Sequence, residues 1–221
     1  MDLKRKFSIV LPLLLYGILY IFVFAVLEGI DHEQYFMPYF RIDHTIPFIP
    51  AFVVPYILWF VWIPLASIIL LLYDEDMFIR TRRLLIIGMT AFLIISAVFP
   101  TKLDLRPDTL PDNGIFCQLL KVIYSADTST NVFPSIHVYN TCAIWHAVYA
   151  SNNGILGKRW FKISTTVLSI LIILSTMFIK QHSILDVIGG IVMFVLVYYI
   201  ILIFFEKGLD RRSVKAPVDE I

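Results

Sequence analysis

The chain has 221 residues, 59% hydrophobic and 16% charged, with a formal net charge of +1 and a mean hydropathy of +0.81. A water-soluble domain is ~45–50% apolar and ~25% charged, so this is the composition of a polytopic membrane protein. The near-zero charge gives no field that would favour nucleic acid. Two cysteines are too few for a disulfide framework or a thiolate metal cluster.

A membrane-spanning helix needs ~20 mainly apolar residues. Six stretches reach or approach this: 7–27, 51–73, 84–99, 134–150, 163–179 and 184–205. Lys4, Arg5 and Lys6 precede the first, and no small-residue cleavage site follows it, so it reads as an uncleaved span. The second is rich in aromatics (Phe52, Tyr56, Trp59, Phe60, Trp62), with Pro55 and Pro64 as expected kinks. Pro100 stops the third. The fourth is the least apolar, carrying Ser135, His137, Asn140, Thr141 and His146. Between the third and fourth, Gly114–Tyr124 has an amphipathic pattern that suits a helix lying on the bilayer. The expected fold is an all-α membrane protein, a six-transmembrane-helix bundle with an interfacial helix in the outer loop. It forms a single domain over residues 1–221.

Lys and Arg in the connections set the orientation. With six spans, Lys4–Lys6, Arg80–Arg83, Lys158–Lys162 and the tail (Lys207, Arg211, Arg212, Lys215) share one side. Both termini are then cytoplasmic. The connections 28–50 and 101–133 and the stretch Lys180–Asp186 face outside together. Within 28–50, Tyr35, Phe36 and Tyr39 read as interfacial anchors, with a lid as the alternative.

Lys180-Gln181-His182-Ser183-Ile184-Leu185-Asp186 places a cation, an imidazole and a carboxylate between two apolar runs. Ionisable groups this close to lipid point to function; the alternative is a polar helix cap at the membrane surface. A helix starting near His182 puts His182 and Asp186 at i and i+4, on one face. The carboxylate can then fix the imidazole tautomer for nucleophilic or acid–base work. Lys102 and Arg106, the latter followed by Pro107, form a candidate anion clamp. Pro134 suits a first helical turn, whose amides, with Ser135 and His137, can converge on an anion. Asp127 and Asn131 are expected to shape the turn before Pro134, Asn140 to hydrogen-bond within the bundle, His146 to pack in the interior or at the cytoplasmic interface, and Gly189-Gly190 to allow close helix packing.

In order, Lys102, Arg106-Pro107, Pro134-Ser135-x-His137 and His182-x-x-x-Asp186 resemble the three-part signature of the type 2 phosphatidic acid phosphatase (PAP2) superfamily. The Lys-to-Arg spacing is shorter than that family's usual pattern. Ser175-Thr176 stands where the family has Ser-Arg, so Lys180 is expected to supply the missing charge. Phe133-Pro134-Ser135 and the neutral Thr176 are closer to the inositol phosphorylceramide synthase-like branch, with sphingomyelin synthases a more distant likeness. The resemblance implies that His182 is the nucleophile, His137 the general acid and base, and Asp186 the group orienting His182. Arg106, Ser135, Lys180 and Lys102 would bind phosphate, without metal or cofactor. The substrate implied is a lipid phosphate or phospholipid taken from the bilayer. Water as acceptor gives a phosphatase, and a second alcohol a phosphotransferase. Two other classes stand beside these. One is a metal-dependent hydrolase with His137, His182 and Asp186 as ligands, which the nearby cations oppose. The other is a non-enzymatic membrane protein, motivated by Thr176.

Overall fold

In lipid, backbone polar groups must find partners within their own segment, which selects helices. The computed structural model describes residues 3–111 and 113–206, and these are all-helical apart from loops and two isolated bridges. The helices are α1 (Leu3–Glu28), α2 (Val53–Tyr73), α3 (Glu75–Val98), α4 (Ile115–Ala126), α5 (Ile136–Ala150), α6 (Arg159–Phe178) and α7 (Ile184–Ile201). Among the described residues, α1, α2, α3, α6 and α7 are long and apolar enough to cross a membrane. The protein is an integral membrane protein.

The fourth expected span is the exception. Helix α5 has 15 residues and rises only ~22 Å. It packs against α2, α3, α6 and α7, and most of its length is buried. A helix enclosed by other helices can carry polar side chains that lipid would not tolerate. That accounts for the low apolarity of this segment.

Polar ties define the two ends of the bundle. At one end, Lys6 Nζ donates to the Leu71 carbonyl (2.8 Å) and Ser151 Oγ to Asp74 (2.6 Å). Arg82 donates to the Ile9 carbonyl. At the other end, Glu28 accepts from Thr130 (3.0 Å) and Asn131 (2.9 Å), and the Ile49 N–H donates to the Phe178 carbonyl (3.0 Å). The basic residues of 4–6, 80–83 and 158–162 therefore gather opposite the end that holds 28–50, 101–133 and 180–186, where Arg41, Lys102, Arg106, Lys121 and Lys180 lie. The tail residues Lys207, Arg211, Arg212 and Lys215 lie outside the described residues.

Helix α3 starts at Glu75, well before the expected start at residue 84. Asp74 caps it by accepting from the Met77 N–H (3.1 Å), and Glu75 and Asp76 favour its N-terminus. The arginines of that connection thus ride on the helix. The amphipathic segment does form a helix, α4, and Leu120 and Tyr56 pack in one apolar cluster beneath it.

Two glycines set the helix spacing. A Cβ at Gly190 would lie 2.6 Å from the Ser135 carbonyl oxygen, and one at Gly88 would lie 1.9 Å from Tyr139 Cζ. The Tyr139 hydroxyl donates to the Leu84 carbonyl (2.7 Å), so that ring cannot retreat freely. Gly88→Leu should destabilise the fold by ~1–3 kcal/mol through overpacking. A thermal melt in detergent reads this as a lowered midpoint, and an unchanged midpoint would contradict the packing described.

Candidate active site

The turn before α7 is built by a reciprocal cap. Ser183 Oγ accepts from the Asp186 N–H (3.1 Å), and Asp186 Oδ2 accepts from the Ser183 N–H (2.8 Å), the capping-box pattern. The helix therefore starts at Ile184, and His182 lies before it rather than on its face. The same Asp186 oxygen stands 3.5 Å from His182 Nδ1. The carboxylate reaches the ring because the cap folds it back. At that separation the pair is an ion-pair contact whose hydrogen bond is not closed, and Asp186 Oδ1 and His182 Nδ1 have no hydrogen-bond partner.

Residues 38–46 strap this turn down. Asp43, in a short 3₁₀ turn, is buried. Its Oδ1 accepts from the Ile184 N–H (2.8 Å), and Ser183 Oγ donates to the Pro38 carbonyl. The first outer connection thus holds α7's N-terminus as well as carrying aromatics.

Helix α5 begins at the same place. The Ser135 N–H donates to the Asp186 carbonyl (3.0 Å), and Ser135 Oγ caps α5 by accepting from the Val138 N–H (3.4 Å). His137, one residue into the helix, turns Nδ1 to within 3.3 Å of His182 Nε2. Its other nitrogen, Nε2, is 3.9 Å from Asp127 Oδ2. The ring is boxed by Trp59 (centroids 4.3 Å) and Tyr56 (4.7 Å), and Trp59 Nε1 donates to the His137 carbonyl (3.1 Å). Both imidazoles are buried. A carboxylate behind Nδ1 favours a proton there on His182, which leaves the Nε2 lone pair turned toward His137 Nδ1.

Of the expected cations, Arg106 comes closest to the pair. It donates to the Asp127 carbonyl (2.7 Å), the Tyr124 carbonyl (3.3 Å) and Gln181 Oε1, and its Nε is unpartnered. Burial lowers its pKa from the ordinary arginine value, against the pull of Asp127. Lys102 is exposed and lies 5.7 Å from the Tyr35 ring centroid. Lys180 is turned away. At φ 57° its Nζ donates to the carbonyls of Asp43 (2.8 Å) and Ile46 (2.6 Å), and burial lowers its pKa while Asp43 opposes the shift. The Thr176 hydroxyl donates to the Ile173 carbonyl (2.8 Å). Its carbonyl accepts from the Gln181 (2.9 Å) and His182 (3.0 Å) N–H groups. The structure brings His137, His182, Asp186 and the backbone of Ser135 together, with Arg106 adjacent; it does not bring Lys102 or the Lys180 ammonium to the histidines.

Sequence reasoning gave Asp127 only a turn-shaping role and gave Gln181 none. Asp127 accepts from the Tyr56 hydroxyl and faces His137. Gln181 Nε2 donates to Tyr56 Oη (3.3 Å). The one signal for Gln181 was its place beside His182. Asn140, expected to bond within the bundle, has an unpartnered Oδ1.

A cavity of about 400 Å³ opens beneath the imidazoles, with Asp127, Gln181, His137 and His182 at its polar end and Tyr20, Trp59 and Phe92 below. Among the described residues, no group of three or more His, Cys, Asp or Glu side chains is placed to hold a metal. A sequence model described as the PAP2 superfamily matches residues 81–209, more than half of the chain. The chain belongs to the PAP2 superfamily. Members of the PAP2 superfamily are in general phosphatases and phosphotransferases, which fits a membrane protein acting on lipid phosphates. No curated protein and no solved structure matches the chain. The PAP2 match takes in most of α3 and all of α4 to α7, and with them Arg106, Asp127, Ser135, His137, Gln181, His182 and Asp186.

Lys180→Met should remove the donor from two buried carbonyls and lower stability by ~1–3 kcal/mol. The thermal midpoint should fall and protease cleavage within 38–46 should quicken. Unchanged values for both would place Lys180 elsewhere.

Proposed function

We propose that this protein is a lipid phosphatase acting at the extracytoplasmic membrane face through a phosphohistidine. The observation that carries it is the pair of buried imidazoles 3.3 Å apart, with Asp186 behind His182, at the head of an apolar cavity. His182 Nε2 attacks phosphorus, and the bond from phosphorus to the lipid oxygen breaks. His137 gives that oxygen its proton. Water then attacks phosphorus and yields a proton to His137, the P–N bond breaks, and phosphate leaves with His182 Nε2 regaining its lone pair. Asp186 orients His182 and stabilises its imidazolium, and Asp127 does the same for His137. Phosphoryl transfer asks mainly for positioning and charge neutralisation. Arg106 is the cation we assign to it, with the α5 N-terminal amides. Ser135 serves by capping α5, Lys180 by holding 38–46, and Lys102 stays at the rim. A phosphoryl group must part the two rings to enter. The chain forms one domain of six spans, with α5 as the fourth and both termini cytoplasmic.

One observation favours phosphotransfer between lipids as a second reading. With Thr176 neutral and the Lys180 ammonium on the Asp43 and Ile46 carbonyls, Arg106 is the one cation we assign to the phosphate. A phosphodiester carries one negative charge and needs less neutralisation than a monoester.

The test is purified protein with head-group-labelled lipid phosphate and phosphodiester, with and without a hydroxylated lipid acceptor, in the presence of a chelator. Free phosphate from the monoester supports the phosphatase, and label moved to the acceptor supports the transferase. Inactivation by the chelator would contradict both mechanisms. His137→Ala should lower kcat ~10²–10⁴-fold, and turnover at the wild-type rate would remove it from the proton path.

A further inference from the structure

The cavity under the histidines does not end in the upper half of the bundle. A second cavity of about 350 Å³ lies against it. The two share Gly17, Trp59, Phe60 and Met89. The upper one follows α1 from Gly17 to Phe24, and the lower one from Val10 to Gly17. They therefore lie end to end along one helix rather than side by side. From Val10 to Phe24 the helix rises ~21 Å, more than the ~15 Å hydrocarbon depth of one leaflet. The lower walls, with Leu13, Ile63, Leu71 and Leu85, are almost wholly apolar.

The neck between the cavities is a glycine. Gly17 sits inside α1, where glycine weakens a helix by ~1 kcal/mol relative to alanine. Gly88 and Gly190 are each explained by a neighbour pressed against them. A Cβ at Gly17 would meet no atom within 4 Å. No protein group needs the missing side chain, yet its absence keeps the passage open. Helix α1 has no buried residue among those described. Polar ties hold it at Lys6, at Tyr16 (to Thr90, 2.8 Å) and at Glu28, Tyr20 and Phe24 pack on Phe92, and both cavities open between these contacts on its side toward α2 and α3.

We propose that this channel seats one extended hydrocarbon chain of the lipid phosphate, running from the histidines past Gly17 toward Leu71. The inference rests on the lipid-phosphate function proposed above and adds the form of the substrate. One long linear chain is recognised; in a two-chain lipid the second stays in the bilayer. The occupant follows from continuity with the phosphate site and from the apolar, end-to-end shape. Helix α1 and the α2 wall lie outside the family match at 81–209, whereas Leu85, Met89 and Phe92 of α3 lie within it.

The test compares wild type with Gly17→Trp, whose Cβ meets no protein atom within 4 Å and whose ring is large enough to block the neck. Hexadecyl phosphate and hexyl phosphate are the substrates. Gly17→Trp should raise KM for hexadecyl phosphate about tenfold or more, from lost burial of a few methylenes, and leave hexyl phosphate unchanged. Equal loss on both, or no loss on either, overturns the channel. A second arm uses hexadecyl phosphate with a terminal diazirine on His182→Ala protein, where no turnover is needed. Photolabel should fall within residues 10–14 and 63–71, and Gly17→Trp in the same background should remove it. Label elsewhere overturns the channel, whereas correct labelling with no wild-type turnover of either ester would sink the catalytic proposal alone.

Discussion

The N-termini of α5 and α7 meet at one backbone hydrogen bond, from the Ser135 N–H to the Asp186 carbonyl at 3.0 Å. That approach exists because Gly190 leaves no Cβ against the Ser135 carbonyl. Each helix is capped by its own serine, Ser135 or Ser183, and each cap fixes where the neighbouring histidine stands. The imidazoles meet because the two helix ends meet.

A line of polar groups runs through this junction. Asp186 lies behind His182, His182 faces His137, His137 faces Asp127, and Asp127 accepts from Tyr56. Each imidazole has a carboxylate on the nitrogen turned away from its partner. This is a low-dielectric setting, in which such networks polarise strongly and leave little freedom of tautomer. Arg106 is bound to the same network through Gln181 and the Asp127 carbonyl. Arg106 and both histidines therefore depend on the same few contacts.

Much of this was legible in the sequence. Long apolar runs dictate membrane helices, and five of the expected six meet the length and apolarity of a span. The pairing of His137 with His182 followed from the ordered motifs, though their geometry did not. The i,i+4 argument for His182 and Asp186 reached the right contact by a different route, since the capping box rather than a helical face brings them together. Lys180 was misleading because sequence adjacency carries no direction: a positive φ turns its side chain toward 38–46. Asp127 was hidden because its partners, Tyr56 and His137, are distant in sequence and meet only in the fold. The polar content of α5 was visible, but its cause, enclosure by four other helices, is a tertiary fact.

The central claim is that His182 is the nucleophile that takes up the phosphoryl group, and trapping the intermediate tests it most directly. Wild-type protein mixed with ³²P-labelled lipid phosphate and quenched in alkali should carry an acid-labile phosphoryl group on His182, located by mass spectrometry. The same label on His137, or steady turnover with neither histidine phosphorylated, would contradict the account.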